Sequence, residues 1–310
     1  MNLSNGIKQR FTKDFKLPIN IFSEPYFTYQ VELYDDIFKV KEKIKLLEEA
    51  IQVAGGEEEF FQYGSNVAKR MKEKIAATQA YQNFNKVDMN KEFPLIENIK
   101  QQNIYIYPNI NKELISIDLE KANFNCLDLF NIKNELKVSS YDDLMKSITE
   151  VEYFTKSKMI RQVIFGDLNP SRQQRLQKYI INQLCIKLRE NGYELSSASS
   201  DEIIISNASN VKHVQLLLED VPEKFKFFRV EKFKFKNIDN DGKYFIKTTE
   251  TQNGEKIEFK SVPGHLFAQV YKKHLGLEIN DYDMLFYHDG FLAQFKEPLF
   301  SKELSKKPKP

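Results

Sequence analysis

Apolar residues in the first hundred positions recur at helical spacing. In residues 31–53 (VELYDDIFKVKEKIKLLEEAIQV) they return every three to four positions with charges between them, which predicts one amphipathic helix ended by Gly55-Gly56. The same spacing predicts a second helix over 57–80. Residues 1–30, with Pro18, Pro25 and many aromatics, read as an irregular packed arm, and the Asn-, Gln- and Lys-rich stretch 81–102 as a surface connection. The expectation is a mainly helical N-terminal region over 1–102.

The pattern changes near residue 103. IYIYPNI (104–110) and ELISID (113–118) read as extended segments, followed by a short helix through Ala122–Phe130 and another beginning at Ser140, where Asp143 three residues on gives a capping signal. Asn169-Pro170 predicts a helix start, with Asn as N-cap and Pro at the first helical position. That helix runs to Arg189 on a stripe of Leu176, Ile180, Ile181, Leu184 and Leu188, and Asn191-Gly192 stops it. YELSSASSDEIIIS (193–206) reads as a hairpin. A helix over Asn210–Asp220 leads into KFKFFRVEKFKFK (224–236), a strand of period two, whose phenylalanines should pack on a helix while its lysines face outward. A further hairpin turns at Gln252-Asn253-Gly254, and Pro263 opens another helix. The predicted fold class is α+β: a helical N-terminal region, then an antiparallel sheet backed by helices over 103–260. A C-terminal α/β extension covers 261–300, and the basic tail 301–310 is expected to be disordered.

Composition narrows the class. With 41% hydrophobic residues in 310, the chain can bury a substantial core, and no run approaches the length of a membrane span. The N-terminus has no apolar segment of the signal-peptide kind, so the expected location is cytoplasmic. Cys126 and Cys185 are expected to sit reduced in packed helices, and the four histidines are scattered without metal-site spacing. The net charge of +2 hides two basic clusters: eight Lys/Arg against Asp167 between Tyr153 and Arg189, and six against Glu231 between Lys224 and Lys236. Such clusters suit phosphate binding, or are simply solvated faces.

Phosphoryl transfer to a growing nucleic acid uses two divalent cations about 4 Å apart, held by oxygen ligands. A chain that does this should carry one acid at the end of a core strand and another on a neighbouring hairpin. Asp118 after ELISI, and Asp201-Glu202 at the tip of the 193–206 hairpin, meet that requirement. The basic segment MIRQVIFGDLNPSRQQRLQKYI lies between them and would face a triphosphate.

At these residues the chain resembles the right-hand nucleic-acid polymerases, closest to the family of bacterial DNA polymerase I and its phage relatives. Asp118-Leu-Glu-Lys-Ala-Asn-Phe-Asn looks like motif A, although that family has a sugar-sensing Glu where Asn123 stands, which leaves sugar selection open. Arg161-Gln-Val-Ile-Phe165-Gly166 is similar to motif B, and Ser200-Asp201-Glu202 to motif C, which usually begins with His. The 35 residues from Gly166 to Asp201 are nearer the spacing of reverse transcriptases and viral RNA polymerases, and FGDLN and EKFKFK are loosely similar to replicative phage and archaeal polymerases.

The resemblance implies a metal-dependent nucleotidyltransferase that adds nucleotides to a primer within a phage replication or transcription assembly. Its cofactors would be two Mg²⁺ or Mn²⁺ ions on Asp118 and Asp201, with Glu202 auxiliary. Nucleotide contacts would come from Arg161, Phe165, Asn123 and Lys158, and nucleic-acid contacts from Arg172, Arg175, Lys232, Lys234 and Lys236. The chain is too short for full fingers and thumb, so partner subunits are expected. Ordinary alternatives stand beside each residue: Asp118 as a helix cap, Asp201-Glu202 as turn chemistry, and 224–236 as a lysine-protected edge. The whole chain has a parallel alternative, a catalytically inactive palm-derived subunit. His288-Asp289-Gly290 is a third, separate candidate.

Overall fold

The computed structural model describes residues 3–300 apart from 97–99, 207–209, 240, 252–253 and 289. It is α+β. Six helices precede the sheet: α1 (Asn5–Phe15), α2 (Tyr26–Phe38), α3 (Val40–Ala54), α4 (Glu57–Ala76), α5 (Gln79–Lys86) and α6 (Met89–Glu92). Residues 1–30 are thus not an irregular arm. Ser4 caps α1 by accepting from the Ile7 amide at 3.4 Å, and Ile7 and Phe11 are wholly buried. The single helix expected over 31–53 is two, because Lys39 takes a left-handed conformation (φ 50°) and Asp35 accepts from the Lys41 amide at 2.8 Å. The stretch expected as a surface connection contains α5 and α6, capped by Thr78 and Asp88.

The segment 104–110 is not a strand. Pro108 sits in a 3₁₀ turn over Tyr107–Asn109, and Asn109 donates its side-chain amide to the Ile104 carbonyl at 3.1 Å. Next come β1 (Leu114–Leu119), α7 (Ala122–Leu127), α8 (Ile132–Leu136), α9 (Tyr141–Lys146), α10 (Glu152–Lys156), α11 (Lys158–Gly166) and α12 (Pro170–Glu190). Ser140 caps α9 as its spacing predicts, accepting from the Asp143 amide at 3.1 Å. Asn169 does precede Pro170 at the start of α12, but its side chain makes no cap and donates to Asn85 instead. Cys126 and Cys185 are free and buried in α7 and α12.

The remaining elements are β2 (Leu195–Ala198), β3 (Glu202–Ile205), α13 (Val211–Leu218), β4 (Phe228–Asn237), β5 (Phe245–Thr251), β6 (Gly254–Lys260), α14 (Phe267–Leu275), β7 (Leu285–His288) and β8 (Phe291–Gln294). The 224–236 strand begins only at Phe228, after a 3₁₀ turn over Glu223–Phe225. Gln252 and Asn253 of the expected turn, Asp289 of the His-Asp-Gly candidate and the tail 301–310 lie outside the described residues.

Strands β1 to β6 form one sheet in the order β2-β3-β1-β4-β5-β6, every neighbouring pair antiparallel. The central strand β1 therefore pairs with β3 on one side and, after a long excursion through helices, with β4 on the other. One sheet face carries Ile115, Ile117, Ile203 and Ile205, all fully buried in a core shared with the helices; α12 packs against β2 and β3 there. The other face has a small separate cluster of Leu114, Ile204, Phe233, Phe235 and Phe245, covered by Ile104, Tyr105 and Ile110. No helix among the described residues is long and apolar enough to cross a membrane.

Candidate active site

Register places the acids. In the β1–β3 ladder Asp118 stands opposite Glu202, and in the β1–β4 ladder opposite Arg229. Directly opposed residues share a face, so Asp118, Glu202 and Arg229 project from the same side of the sheet. The Leu119 amide donates to the Asp201 carbonyl at 2.8 Å, holding the hairpin tip against the end of β1. Asp118 is no helix cap: the N-cap of α7 is Lys121, which makes no side-chain cap, and the Asp118 carboxylate accepts from Arg229 at 2.7 Å. Asp201 keeps part of its turn role, accepting from the Ser199 hydroxyl at 2.9 Å.

Asp118 and Asp201 line one cavity of about 670 Å³ together with Asn123, Lys158, Arg161 and Arg229. Burial pushes the Asp118 carboxyl above the ordinary range; Arg229 opposes that rise, while Glu202 and Asp201 add to it. Burial holds Lys158 below its ordinary value, and the nearby charges of Lys16 and Arg161 act the same way. Asn123 accepts from Gln177 of α12 at 2.5 Å. The Tyr141 ring lines the same cavity beneath Arg161, with the guanidinium 5.9 Å from the ring centre, and its buried hydroxyl has no hydrogen-bond partner among the described residues. Glu202 stands beside this cavity rather than in its wall, accepting from Ser116 at 2.6 Å with Lys247 3.8 Å away.

Other sequence candidates fall elsewhere. Phe165, expected to stack on a base, is 1% exposed and packs in the core against Tyr141. Helix α11 turns its apolar face inward, so Arg161 reaches the cavity and Phe165 does not. Arg172 donates to the Phe84 and Val87 carbonyls, and Arg175 to that of Phe93, satisfying backbone acceptors around α5 and α6. Lys232, Lys234 and Lys236 alternate with Phe233 and Phe235 as expected, but they lie on the face turned away from Asp118. Lys232 and Lys234 are both paired with Glu113 at 2.9 Å. Phe233 and Phe235 pack not on a helix but under the 104–110 segment, whereas Phe225, in the turn before β4, packs against Tyr179 of α12.

Sequence reasoning missed Arg229, Tyr141 and Gln177. Arg229 sat in view within a basic strand, but its value depends on the β1–β4 register, for which a single sequence carries no local signal.

Among the described residues no group of three or more His, Cys, Asp or Glu is gathered to hold a metal. The chain matches no protein-family model and no curated protein.

Proposed function

We propose that this chain is a metal-dependent nucleotidyltransferase with a polymerase-type palm, adding nucleotides to the end of a nucleic acid. The observation that carries the reading is the shared cavity: two acids from adjoining strands, β1 and the β2–β3 tip, facing Lys158 and Arg161 of α11. A strand-acid, a basic helix and a hairpin-acid come in the chain order of motifs A, B and C.

The donor set fits magnesium or manganese. These ions usually take one or two carboxylates from the protein and the rest of their ligands from phosphates and water. Asp118 is a desolvated acid with Asp201 and Glu202 as negative neighbours, an arrangement that a divalent cation would stabilise. When bound, the cations would activate the attacking hydroxyl and neutralise charge on the leaving pyrophosphate. Asp118 and Asp201 would hold them, and Lys158 and Arg161 would bind the triphosphate. Burial holds the Tyr141 hydroxyl protonated, so it would donate to the nucleotide. The Asn123–Gln177 pair would border the sugar.

A second reading, a non-catalytic palm-derived subunit that binds nucleic acid, is favoured by one contact: Arg229 already engages Asp118 at 2.7 Å. Incorporation of labelled nucleotides on single-stranded and primed oligonucleotides, with Mg²⁺ or Mn²⁺, separates the two. Asp118→Ala and Asp201→Ala should each abolish incorporation with circular dichroism and oligonucleotide binding retained. Undiminished incorporation by either variant overturns the assigned roles, and an inactive wild type that still binds selects the second reading.

A further inference from the structure

A second cavity, of about 640 Å³, opens on the other flank of the hairpin tip. Among the described residues Asp201 alone lines both cavities. The second is walled by Gln101, Asn103 and Tyr105 on one side and by Ser200 and Glu202 on the other. Among the described residues its lining contains no Lys or Arg, in contrast to the Lys158–Arg161 wall of the first, and a base beside it, Lys247, is turned to Glu202 at 3.8 Å.

The 100–105 wall is pinned in place. The Ala198 amide of β2 donates to the Lys100 carbonyl at 3.2 Å. Ser197 Oγ accepts from the Gln102 amide and donates to the Gln102 carbonyl, each at 2.9 Å. Tyr105 rests on Phe235 and Phe245, with ring centres 5.3 and 6.1 Å apart. Beyond it, Ile104 and Ile110 cover the sheet on the Asp118 face. That part of the sheet is therefore taken by the chain itself, and a duplex cannot lie along it. What remains beside Asp201 is a pocket in the size range of a small ligand or one to two nucleosides.

Resting on the nucleotidyltransferase reading, we propose that this second cavity is the acceptor site, and that it takes an unpaired 3′-hydroxyl end of a nucleic acid. In phosphoryl transfer the attacking and leaving oxygens are roughly in line. Pyrophosphate bound by Lys158 and Arg161 leaves toward α11, so the hydroxyl must approach the acids from elsewhere; a further cavity adjoins the first through Glu120 and Arg229, but the one that shares Asp201 is the one walled by an acid of the proposed metal site. The hydroxyl oxygen bonds to the α-phosphorus, the bond from that phosphorus to the bridging oxygen breaks, and pyrophosphate departs with the electron pair. The hydroxyl proton passes to solvent. A wall of amides, hydroxyls and one aromatic ring, with two acids, repels phosphate and suits the sugar and base of a terminal nucleoside.

The test uses the full chain and an oligonucleotide carrying 5-iodouracil at its 3′ end, either single-stranded or paired flush with a complement. Affinity is read by fluorescence anisotropy, and photo-crosslinks are mapped by mass spectrometry. Crosslinks of the single-stranded end within residues 101–105 are expected, reduced at least fivefold by Gln101→Glu and in the blunt duplex. Under steady-state incorporation, Gln101→Glu should raise KM for the acceptor about tenfold and leave KM for the nucleotide unchanged. Binding with crosslinks confined to other segments, or an equal preference for the duplex end, overturns the acceptor site and leaves the nucleotidyltransferase reading standing. No binding to either oligonucleotide overturns both.

Discussion

Asp118 is held against its own preference. Its carboxyl is raised chiefly by burial, with Glu202 and Asp201 adding to the effect and Arg229 opposing it. An acid with a raised folded value binds more protons folded than unfolded, so folding stability falls as pH rises from the ordinary Asp value, about 4, through the raised one. Above that window the loss is complete. Asp118→Asn should therefore be more stable than wild type at neutral pH, with the gap closing as pH falls to about 4; urea denaturation across that range measures it. A variant no more stable at neutral pH would mean that the Arg229 contact outweighs desolvation. Arg229 competes with any cation for the same carboxylate, and half-exposed ion pairs contribute up to about 1 kcal/mol. Arg229→Gln should accordingly tighten Mn²⁺ binding by about fivefold in calorimetry. Unchanged or weaker binding would show that Arg229 positions Asp118 rather than blocking it.

Strand β4 carries two different chemistries on its two faces. Arg229 and Glu231 project with Asp118, whereas Lys232, Lys234 and Lys236 project the other way. Neutralising the three lysines should thus leave the salt dependence of oligonucleotide binding unchanged, contrary to what their alternation with phenylalanine suggests in isolation. Neutralising Lys158 and Arg161 together should instead weaken binding of a nucleoside triphosphate by about tenfold or more in calorimetry and leave oligonucleotide affinity unchanged. A flattened slope in the lysine triple variant would restore β4 as a phosphate-tracking strand. Helix α12 illustrates the same division. Its apolar stripe was readable from Leu176 to Leu188, while Arg172 and Arg175, which looked like phosphate ligands, are spent on the carbonyls of Phe84, Val87 and Phe93.

One buried cluster runs from Leu3 to Tyr271, so the helical N-terminal region, the sheet and the C-terminal extension share a core. The extension is also fastened by a buried polar knot. Asp283, wholly buried, accepts from Tyr29 of α2 at 2.7 Å and pairs with Lys272 of α14 at 2.6 Å. Asn20 donates to the Gly264 carbonyl at 2.8 Å alongside it. Removing one partner of a buried pair leaves an uncompensated charge, which typically costs about 3–5 kcal/mol. Asp283→Ala should lower global stability by that amount, and both wild type and variant should unfold in a single urea transition when followed by far-UV dichroism and tyrosine fluorescence. Two separated transitions would divide the chain into independent units.

Local patterns in the chain were enough to locate β1, the 193–206 hairpin, α12 and the β5–β6 hairpin, because periodicity, turn residues and helix caps act over a few positions. Strand and hairpin position also marked Asp118 and Asp201, and the resemblance to polymerase motifs marked Lys158, Arg161 and Asn123; the structure gathers all five around one cavity. The 104–110 segment misled because its alternating Ile and Tyr residues satisfy a strand pattern while covering a sheet instead of joining it. Phe165 misled because a motif has no inside or outside until a helix is packed. Which strands neighbour β1, which face β4 turns to the acids, and what Arg229 touches all depend on pairings between residues distant in sequence, such as Asp118 with Glu202 and with Arg229. Those pairings are selected by burial of both sheet faces at once, a property of the assembled core and not of any segment within it.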